Sequence, residues 1–248
     1  MGENKKTKNG GGLQGSEKKL KVVLLRHTNE PELTIATAGH LCYAGVDIEE
    51  LQKKMDKAKV EKLINHLVAS GHFSVLEHAN FTFGIEGVSR ACTHQLVRHR
   101  IASHSQQSQR YVDEKNFAFI VPPKVKENKE ANKKFLAHME ECRKLYAELA
   151  AAGVPKEDAR FVLPNAAETR IITTMNARSL MNFFERRLCT RAQWEIRELA
   201  NAMLEELKKA APLLFGNAGP VCERLGYCPE AKGCGRYLPR NEVIKGVS

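Results

Sequence analysis

Residues 98–110 concentrate side chains that bind anions. They read RHRIASHSQQSQR, with three arginines, two histidines, three serines and three glutamines but no carboxylate. Arginine stays charged at any working pH and can hold a phosphate through paired hydrogen bonds. The amides and hydroxyls between the arginines could read the polar edge of a heterocyclic ring. The segment therefore indicates a nucleotide or dinucleotide site, although a solvated basic face explains most charge runs of this length, and the residues alone leave both interpretations open.

A second group of polar residues opens a predicted helix. It begins MNARSLMN at residue 175 and continues with Arg186, Arg187 and the sequence AQWE. Arg178 and Asn182 are four positions apart and therefore share a helix face. Arg187 lies about 140° around the helix from Asn182, at about 100° per residue, so it could serve a different ligand or a neighbouring subunit's site. The alternative is structural, with Asn176 or Ser179 as a helix N-cap and Arg187 in solvent.

Taken together, these motifs resemble those of the flavin-dependent thymidylate synthases. The sequence RHR is followed by seven residues and then Ser108, with Arg110 two positions further on. NARSLMNF and AQWEI resemble the family's C-terminal block, and GHFSVLEH resembles its upstream element G-H-x-[ST]-x-x-E-H. The resemblance covers residues 20–214. It implies transfer of a methylene group from 5,10-methylenetetrahydrofolate to C5 of dUMP, reduction by FADH2, and regeneration of the reduced flavin by NADPH, with the flavin carrying the redox chemistry.

The resemblance also implies the site residues. Those expected to bind FAD are His72, Ser74, Arg98, His99, Arg100, Ile101, Gln106, Asn176, Arg178 and Asn182. Those expected to bind dUMP are Gln95, Arg98, Gln106, Gln107, Ser108, Gln109, Arg110, Arg160 and Arg187. Arg187 would be the catalytic residue, lying against the uracil ring and favouring its N3-deprotonated form. Gln106 stands where some members carry a carboxylate. The family further implies a homotetramer with active sites between subunits.

Other catalytic and metal chemistries are less well supported. Ser108 has no nearby carboxylate in sequence to orient an activating histidine, which favours a binding role. The chain lacks the P-C-H sequence typical of cysteine-dependent thymidylate synthases.

His94, His99 and His104 are five apart and do not form an HExxH pair, so no metal site is predicted from them. Cys222, Cys228 and Cys234 could bind zinc or a cluster with Cys189, but the spacing is not C-x-x-C and favours reduced loop cysteines.

Composition leaves one competing class of function. The net charge of +10 suits phosphorylated ligands and equally a nucleic-acid surface. A basic nucleic-acid-binding module is the alternative, although the chain shows no regular aromatic ladder or recognition helix. An odd set of seven cysteines favours reduced thiols and a cytoplasmic location. The sequence has no run of about 18 apolar residues and no signal-peptide pattern, so neither secretion nor membrane insertion is expected.

The helices and strands that must position these residues predict an α/β fold class of the α+β type. Residues 1–19 are rich in Lys, Gly and Asn and are expected to be a disordered basic tail. Residues 20–248 are expected to form one domain, a mainly antiparallel sheet packed with long helices, with 215–248 as a Cys-containing extension. Alternating or β-branched runs predict strands, and periodic runs predict helices. The predicted strands are 20–25, 81–87, 117–121 and 169–174, with extended chain at 109–112, and the predicted helices are 56–70, 88–97, 135–153 and 177–210.

Overall fold

The computed structural model describes residues 17–45, 47–53 and 55–245. The described chain divides into two compact units. The larger unit contains residues 20–86, 92–106 and those from 170 onward, and the smaller contains 17–19, 87–91 and 107–169. Most of the predicted tail, residues 1–16, lies outside the described residues. Within the smaller unit, the backbone N–H of Lys18 donates to the carbonyl of Phe119 at 3.3 Å.

A four-stranded sheet has the order β1-β2-β4-β3. Its strands are β1 (Lys21–His27), β2 (Asn80–Ser89), β3 (Ser103–Gln106) and β4 (Glu168–Asn176). β1 pairs with β2 and β3 with β4, both in antiparallel register. The structure therefore confirms the predicted antiparallel sheet and long helices. It also places a strand, β3, inside the predicted anion-binding segment, where Ser103 is the partner of Thr174.

Helices occupy much of the rest of the chain. In chain order they are α1 (Pro31–Leu41), α2 (Ile48–Lys53), α3 (Lys57–Ala69), α4 (Arg90–Leu96), α5 (Pro123–Glu127), α6 (Lys129–Ala151), α7 (Lys156–Ala159), α8 (Ala177–Arg187), α9 (Trp194–Ala210), α10 (Pro212–Phe215), α11 (Val221–Leu225) and α12 (Arg240–Lys245). Short 3₁₀ helices span Phe73–His78 and Arg160–Val162. None of the described helices combines the length and apolar character needed to cross a membrane.

The predicted helix over 177–210 is wrong as a single element, because it is two helices. α8 ends at Arg187 and α9 begins at Trp194. The side chain of Gln193 caps α9 by accepting hydrogen bonds from the backbone N–H groups of Glu195, at 3.1 Å, and Ile196, at 3.2 Å. Such a cap satisfies donors at a helix start and marks a new beginning that apolar periodicity does not reveal. Both helices nevertheless bury the predicted apolar positions, among them Leu180, Phe183, Phe184, Leu199, Met203 and Leu207.

Two further segments differ from their predictions within the smaller unit. The predicted strand over 117–121 is reduced to isolated bridges at Phe119. The carbonyl of Phe117 instead accepts hydrogen bonds from Arg143, whose guanidinium lies over the rings of Phe117 and Phe119. Residues 109–112 form a turn rather than extended chain, because the N–H groups of Tyr111 and Val112 both donate to the carbonyl of Ser108. A turn therefore replaces extended chain at 109–112, whereas pairing at 117–121 persists only through the bridges at Phe119.

Candidate active site

A cavity of about 660 Å³ in the larger unit gathers much of the predicted site. Its walls come from the 3₁₀ helix at Phe73–His78, the turn after α4, and the first three turns of α8. Five arginines face a single carboxylate, so the cavity is strongly positive. The lining residues are Glu77, Arg98, His99, Arg100, Ile101, Asn176, Arg178, Ser179, Asn182, Arg186 and Arg187.

Strand pairing brings these distant sequence segments together. The turn at 98–101 leads into β3, and β4 leads directly into α8. Since Ser103 pairs with Thr174, the turn before β3 lies beside the start of α8. Asn176 caps that helix, because its side-chain oxygen accepts a hydrogen bond from the N–H of Ser179 at 2.8 Å. The structural role considered for Asn176 is therefore confirmed, and the residue lines the cavity as well.

Arg187 and His99 are joined by a hydrogen bond inside the cavity. The Nε atom of Arg187 donates to Nε2 of His99 at 3.0 Å, and its Nη2 approaches the carbonyl of Gln95 at 3.5 Å. Burial, reinforced by the charges of Arg187 and Arg186, lowers the pKa of His99 to about 4. His99 is therefore neutral at pH 7, which leaves Nε2 able to accept this bond.

The guanidinium of Arg187 is itself partly desolvated. Burial is the main cause that lowers its pKa, followed by the positive charges of Arg186 and Arg98. Arginine remains charged despite such a shift, because its ordinary pKa is far above neutral. A cation in this position gains more from an anionic partner than a fully hydrated cation would. The cavity can therefore bind and stabilise negative charge next to Arg187.

Arg187 shares the cavity with the predicted face of α8. The helical geometry suggested a different ligand for Arg187, yet Arg178, Asn182 and Arg187 all line the same space. Arg178 donates to Glu77 at 2.5 Å across the cavity, and the side-chain oxygen of Asn182 accepts from Arg186 at 3.4 Å. The idea that Arg187 projects into solvent is wrong, since its side chain contacts His99.

Sequence reasoning missed Glu77, Ser179 and Arg186 as cavity residues. Glu77 lies inside the GHFSVLEH element, whose carboxylate was not assigned a role. Ser179 lies three positions after the cap residue Asn176, in the first turn of the helix. That position could have marked Ser179 as a cavity residue. Arg186 had no separate signal, because two adjacent arginines near a helix end usually include one that faces solvent.

Four other predicted residues of the larger unit do not line this cavity. The amide of Gln106 donates to the hydroxyl of Thr93 at 3.0 Å, and Gln95 approaches Gln193 at 3.4 Å. His72 and Ser74 are exposed.

The remaining predicted residues lie in the smaller unit, where Glu157 groups two of them. Arg110 donates to the Glu157 carboxylate at 3.0 Å through Nε and lies 2.9 Å from it through Nη2. Arg160 donates to the backbone carbonyl of Glu157 at 3.1 Å. The hydroxyl of Ser108 accepts from the N–H of Arg110, and the carbonyl of Gln107 accepts from Arg90. Gln109 is half-buried in the same turn. This unit therefore holds a second arginine cluster.

Comparisons with known proteins identify the family. The model of the family "Thymidylate synthase complementing protein" matches residues 23–213. A flavin-dependent thymidylate synthase of Geobacter sulfurreducens is 53% identical over 92% of this chain and all of its own length. The enzyme of Clostridium tetani is 49% identical over 93% of this chain and 99% of its own length, and that of Pyrococcus furiosus is 48% identical over 85% and 90%. This chain belongs to the flavin-dependent thymidylate synthase family. It is accordingly an enzyme, and the resemblance stated from its motifs is confirmed.

A solved structure agrees with the fold of this flavin-dependent thymidylate synthase family member. The UMP/dUMP methylase PolB from Streptomyces cacaoi, bound with 5-Br dUMP, superposes with a TM-score of 0.73. The match covers 81% of this chain and 94% of PolB, at 24% sequence identity.

The comparisons give no support to the alternative of a nucleic-acid-binding module. Within the part of the chain that the structure describes, no three His, Cys, Asp or Glu side chains form a group able to hold a metal ion.

Proposed function

We propose that this chain converts dUMP to dTMP, with 5,10-methylenetetrahydrofolate as carbon donor, FAD as redox cofactor and NADPH as reductant. The observation that carries the proposal is the arginine-lined cavity in which a neutral His99 holds Arg187. No carboxylate other than Glu77 lines that cavity among the described residues, so its field favours anionic ligands.

The residues of the cavity fit FAD. Arg98, Arg100 and Arg178 offer charged donors for a pyrophosphate, and the start of α8 adds the positive end of a helix dipole. Ile101 lines the cavity with a side chain that is 76% exposed, and it offers an apolar contact for a planar ring. Bound there, FAD would supply the hydride that completes the methyl group.

The protein's own contribution to the chemistry centres on Arg187. Its guanidinium is held by His99 and the carbonyl of Gln95, so it need not reorganise when negative charge develops on a neighbouring pyrimidine. We assign it to the uracil ring of dUMP, where it stabilises the N3-deprotonated form. His99 keeps that arginine oriented by accepting its Nε–H. Deprotonation at N3 raises electron density at C5, the atom that receives the carbon.

The arginine cluster of the smaller unit is assigned to the substrate phosphate. Arg110 and Arg160 both contact Glu157, and Gln107, Ser108 and Gln109 belong to the turn before Arg110. Exposed aromatic rings adjoin both arginines, with Tyr111 at 74% and Phe161 at 82% exposure. Large exposed aromatic residues beside a charged cluster are typical of a subunit interface. They support a homotetramer whose sites form between subunits, and the odd number of seven cysteines supports a cytoplasmic location.

The test is production of dTMP by the purified protein from dUMP and 5,10-methylenetetrahydrofolate. The reaction is run with and without FAD, after any bound flavin has been removed, and with and without NADPH. The proposal expects product only when both FAD and NADPH are present, together with a flavin absorbance band that remains after gel filtration. Absence of product and of bound flavin in correctly folded protein would refute it.

A further inference from the structure

A second cavity of the larger unit brings four cysteines together. It has a volume of about 500 Å³ and shares Arg186 and Arg187 with the first. The four are Cys189, Cys222, Cys228 and Cys234, named here the thiol cluster. Cys189 follows α8, Cys222 lies in α11, and the other two lie between α11 and α12. All four are free thiols. Four of the chain's seven cysteines thus converge on one cavity beside the proposed active site.

The cluster combines one accessible thiol with buried ones. Cys222 and Cys228 are 7% and 8% exposed, whereas Cys234 is exposed. No metal-holding group of three side chains occurs in the described chain, so the arrangement points to thiol chemistry rather than to a preformed metal centre. An accessible thiol next to a shielded one is the usual geometry of an oxidisable cysteine and its resolving partner.

The surroundings of Cys234 favour its thiolate. Hydrogen bonds from the Thr190 side chain and then from the Arg236 backbone N–H lower its pKa, with a further contribution from the Arg236 charge. Four arginines line this cavity, and Arg191 pairs with Glu230 at 3.1 Å. Arg236 is also paired, with Glu223. Cations and hydrogen-bond donors around an exposed sulfur are what make a cysteine nucleophilic.

Cys228 is a buried thiol whose sulfur lies close to the backbone next to Cys234. Its backbone is fixed on both sides, since its N–H donates to the Leu238 carbonyl at 2.8 Å and its carbonyl accepts from Arg240 at 3.1 Å. A Cβ atom built on Gly233 would lie 3.2 Å from the Cys228 sulfur. Gly233 directly precedes Cys234, so this sulfur lies beside the backbone that carries Cys234. The missing side chain at Gly233 leaves the space next to the Cys228 sulfur open.

The geometry points to Cys234 as a modification site that forms a disulfide with Cys228 in the presence of a hydroperoxide. The Cys234 thiolate attacks a peroxide oxygen, the O–O bond breaks, and the departing oxygen leaves as water after taking up the thiol proton. The resulting sulfenic acid is attacked by the Cys228 sulfur. The S–S bond forms, the S–O bond breaks, and the oxygen leaves as a second water with the Cys228 proton. Two thiols and one hydrogen peroxide thus give one disulfide and two waters.

The experiment uses the full-length, FAD-supplied protein, reduced beforehand and then treated with hydrogen peroxide. Peptide mass mapping is expected to find residues 228 and 234 linked, with the loss of two hydrogen atoms. C234S should remove the link and slow the first thiol oxidation about tenfold. C228S should stop at a Cys234 sulfenic acid that dimedone captures. The matched control is C42S, which removes an exposed cysteine outside the cluster and should behave like the parent protein.

Several outcomes would overturn the inference. If Cys42 were oxidised as fast as Cys234, Cys234 would not be unusually reactive. A disulfide joining a different pair would show that Cys228 is not the partner of Cys234. Stoichiometric zinc in the purified protein, with thiols that react only after chelation, would make the cluster a metal site instead. Under reducing conditions, C222A, C228A and C234A should each leave turnover unchanged, and loss of turnover in folded protein would show that these thiols belong to catalysis.

Discussion

Arg187 and His99 lie 88 positions apart in the chain, yet Nε of one donates to Nε2 of the other at 3.0 Å. The ring of His99 also meets Phe183 edge to face, with centroids 4.9 Å apart. A buried phenylalanine therefore supports the imidazole, and the imidazole orients the arginine. These contacts explain how the flexible, charged side chain of Arg187 on α8 is held in one orientation.

The first prediction concerns Arg187 itself. R187A should lower kcat for dTMP formation by about 100- to 1000-fold, as expected when a preorganised charge is removed from a developing anion. Flavin should remain bound, because Arg98, Arg100 and Arg178 still line the cavity. Single-turnover assays and the flavin absorbance measure the two effects separately. The control is R191A, an exposed arginine outside this cavity, which should keep its turnover. Loss of flavin together with activity would show that Arg187 mainly holds the cofactor.

The second prediction is a pH dependence of stability from His99. Its folded-state pKa of about 4 lies below the ordinary value of 6.5, so the unfolded chain binds more protons between these values. The folding stability that comes from a neutral His99 is therefore fully present above about pH 6.5 and is lost as the pH falls towards 4. Urea unfolding at pH 7 and pH 5 should show a larger drop for the parent protein than for H99Q. Equal drops would mean that His99 does not remain neutral in the folded protein.

The sequence predicted the parts of the fold that depend on apolar patterning. Alternation at Phe81, Phe83 and Ile85 predicted β2, and Val60, Ile64 and Leu67 predicted α3, because burial on one face requires those periods. Helix and strand ends that depend on a single side chain could not be predicted from apolar patterning. The Gln193 cap divides a periodic run in two, and the predicted strand at 117–121 is reduced to bridges at Phe119, beside a Phe117 carbonyl that bonds to Arg143.

The site was predicted through motifs, and its three-dimensional grouping was not. Helical periodicity separates Arg187 from Arg178 and Asn182, because it describes one helix in isolation. The structure shows that all three line one cavity, since β3 places the turn at 98–101 beside α8. Glu77 was missed for the same reason, because its contact with Arg178 joins residues 101 positions apart.

The third prediction concerns Arg178 and the cofactor. R178A should weaken FAD binding by about 1.5 to 3 kcal/mol, or about 10- to 100-fold in Kd, the range for a hydrogen bond to a charged group. Its ion pair with Glu77 is about half exposed, so the variant should lose less than about 1 kcal/mol of folding stability. The matched variant R170A removes an exposed arginine that lies 3.9 Å from Glu86, outside the cavity. Equal FAD affinities for the two variants, by calorimetric titration, would rule out the assignment of Arg178.

The fourth prediction separates packing from positioning at Phe183. Both Phe183 and its neighbour Phe184 are fully buried and touch each other, with centroids 5.6 Å apart, but only Phe183 meets the His99 ring, edge to face. F183L and F184L should each destabilise the protein by about 1 kcal/mol through lost aromatic contacts. Only F183L should also lower kcat and raise the pKa of His99 towards its ordinary value, because only that change loosens the imidazole. NMR titration of the His99 ring and steady-state assays measure both effects, and equal kcat values for the two variants would mean that Phe183 contributes to packing alone.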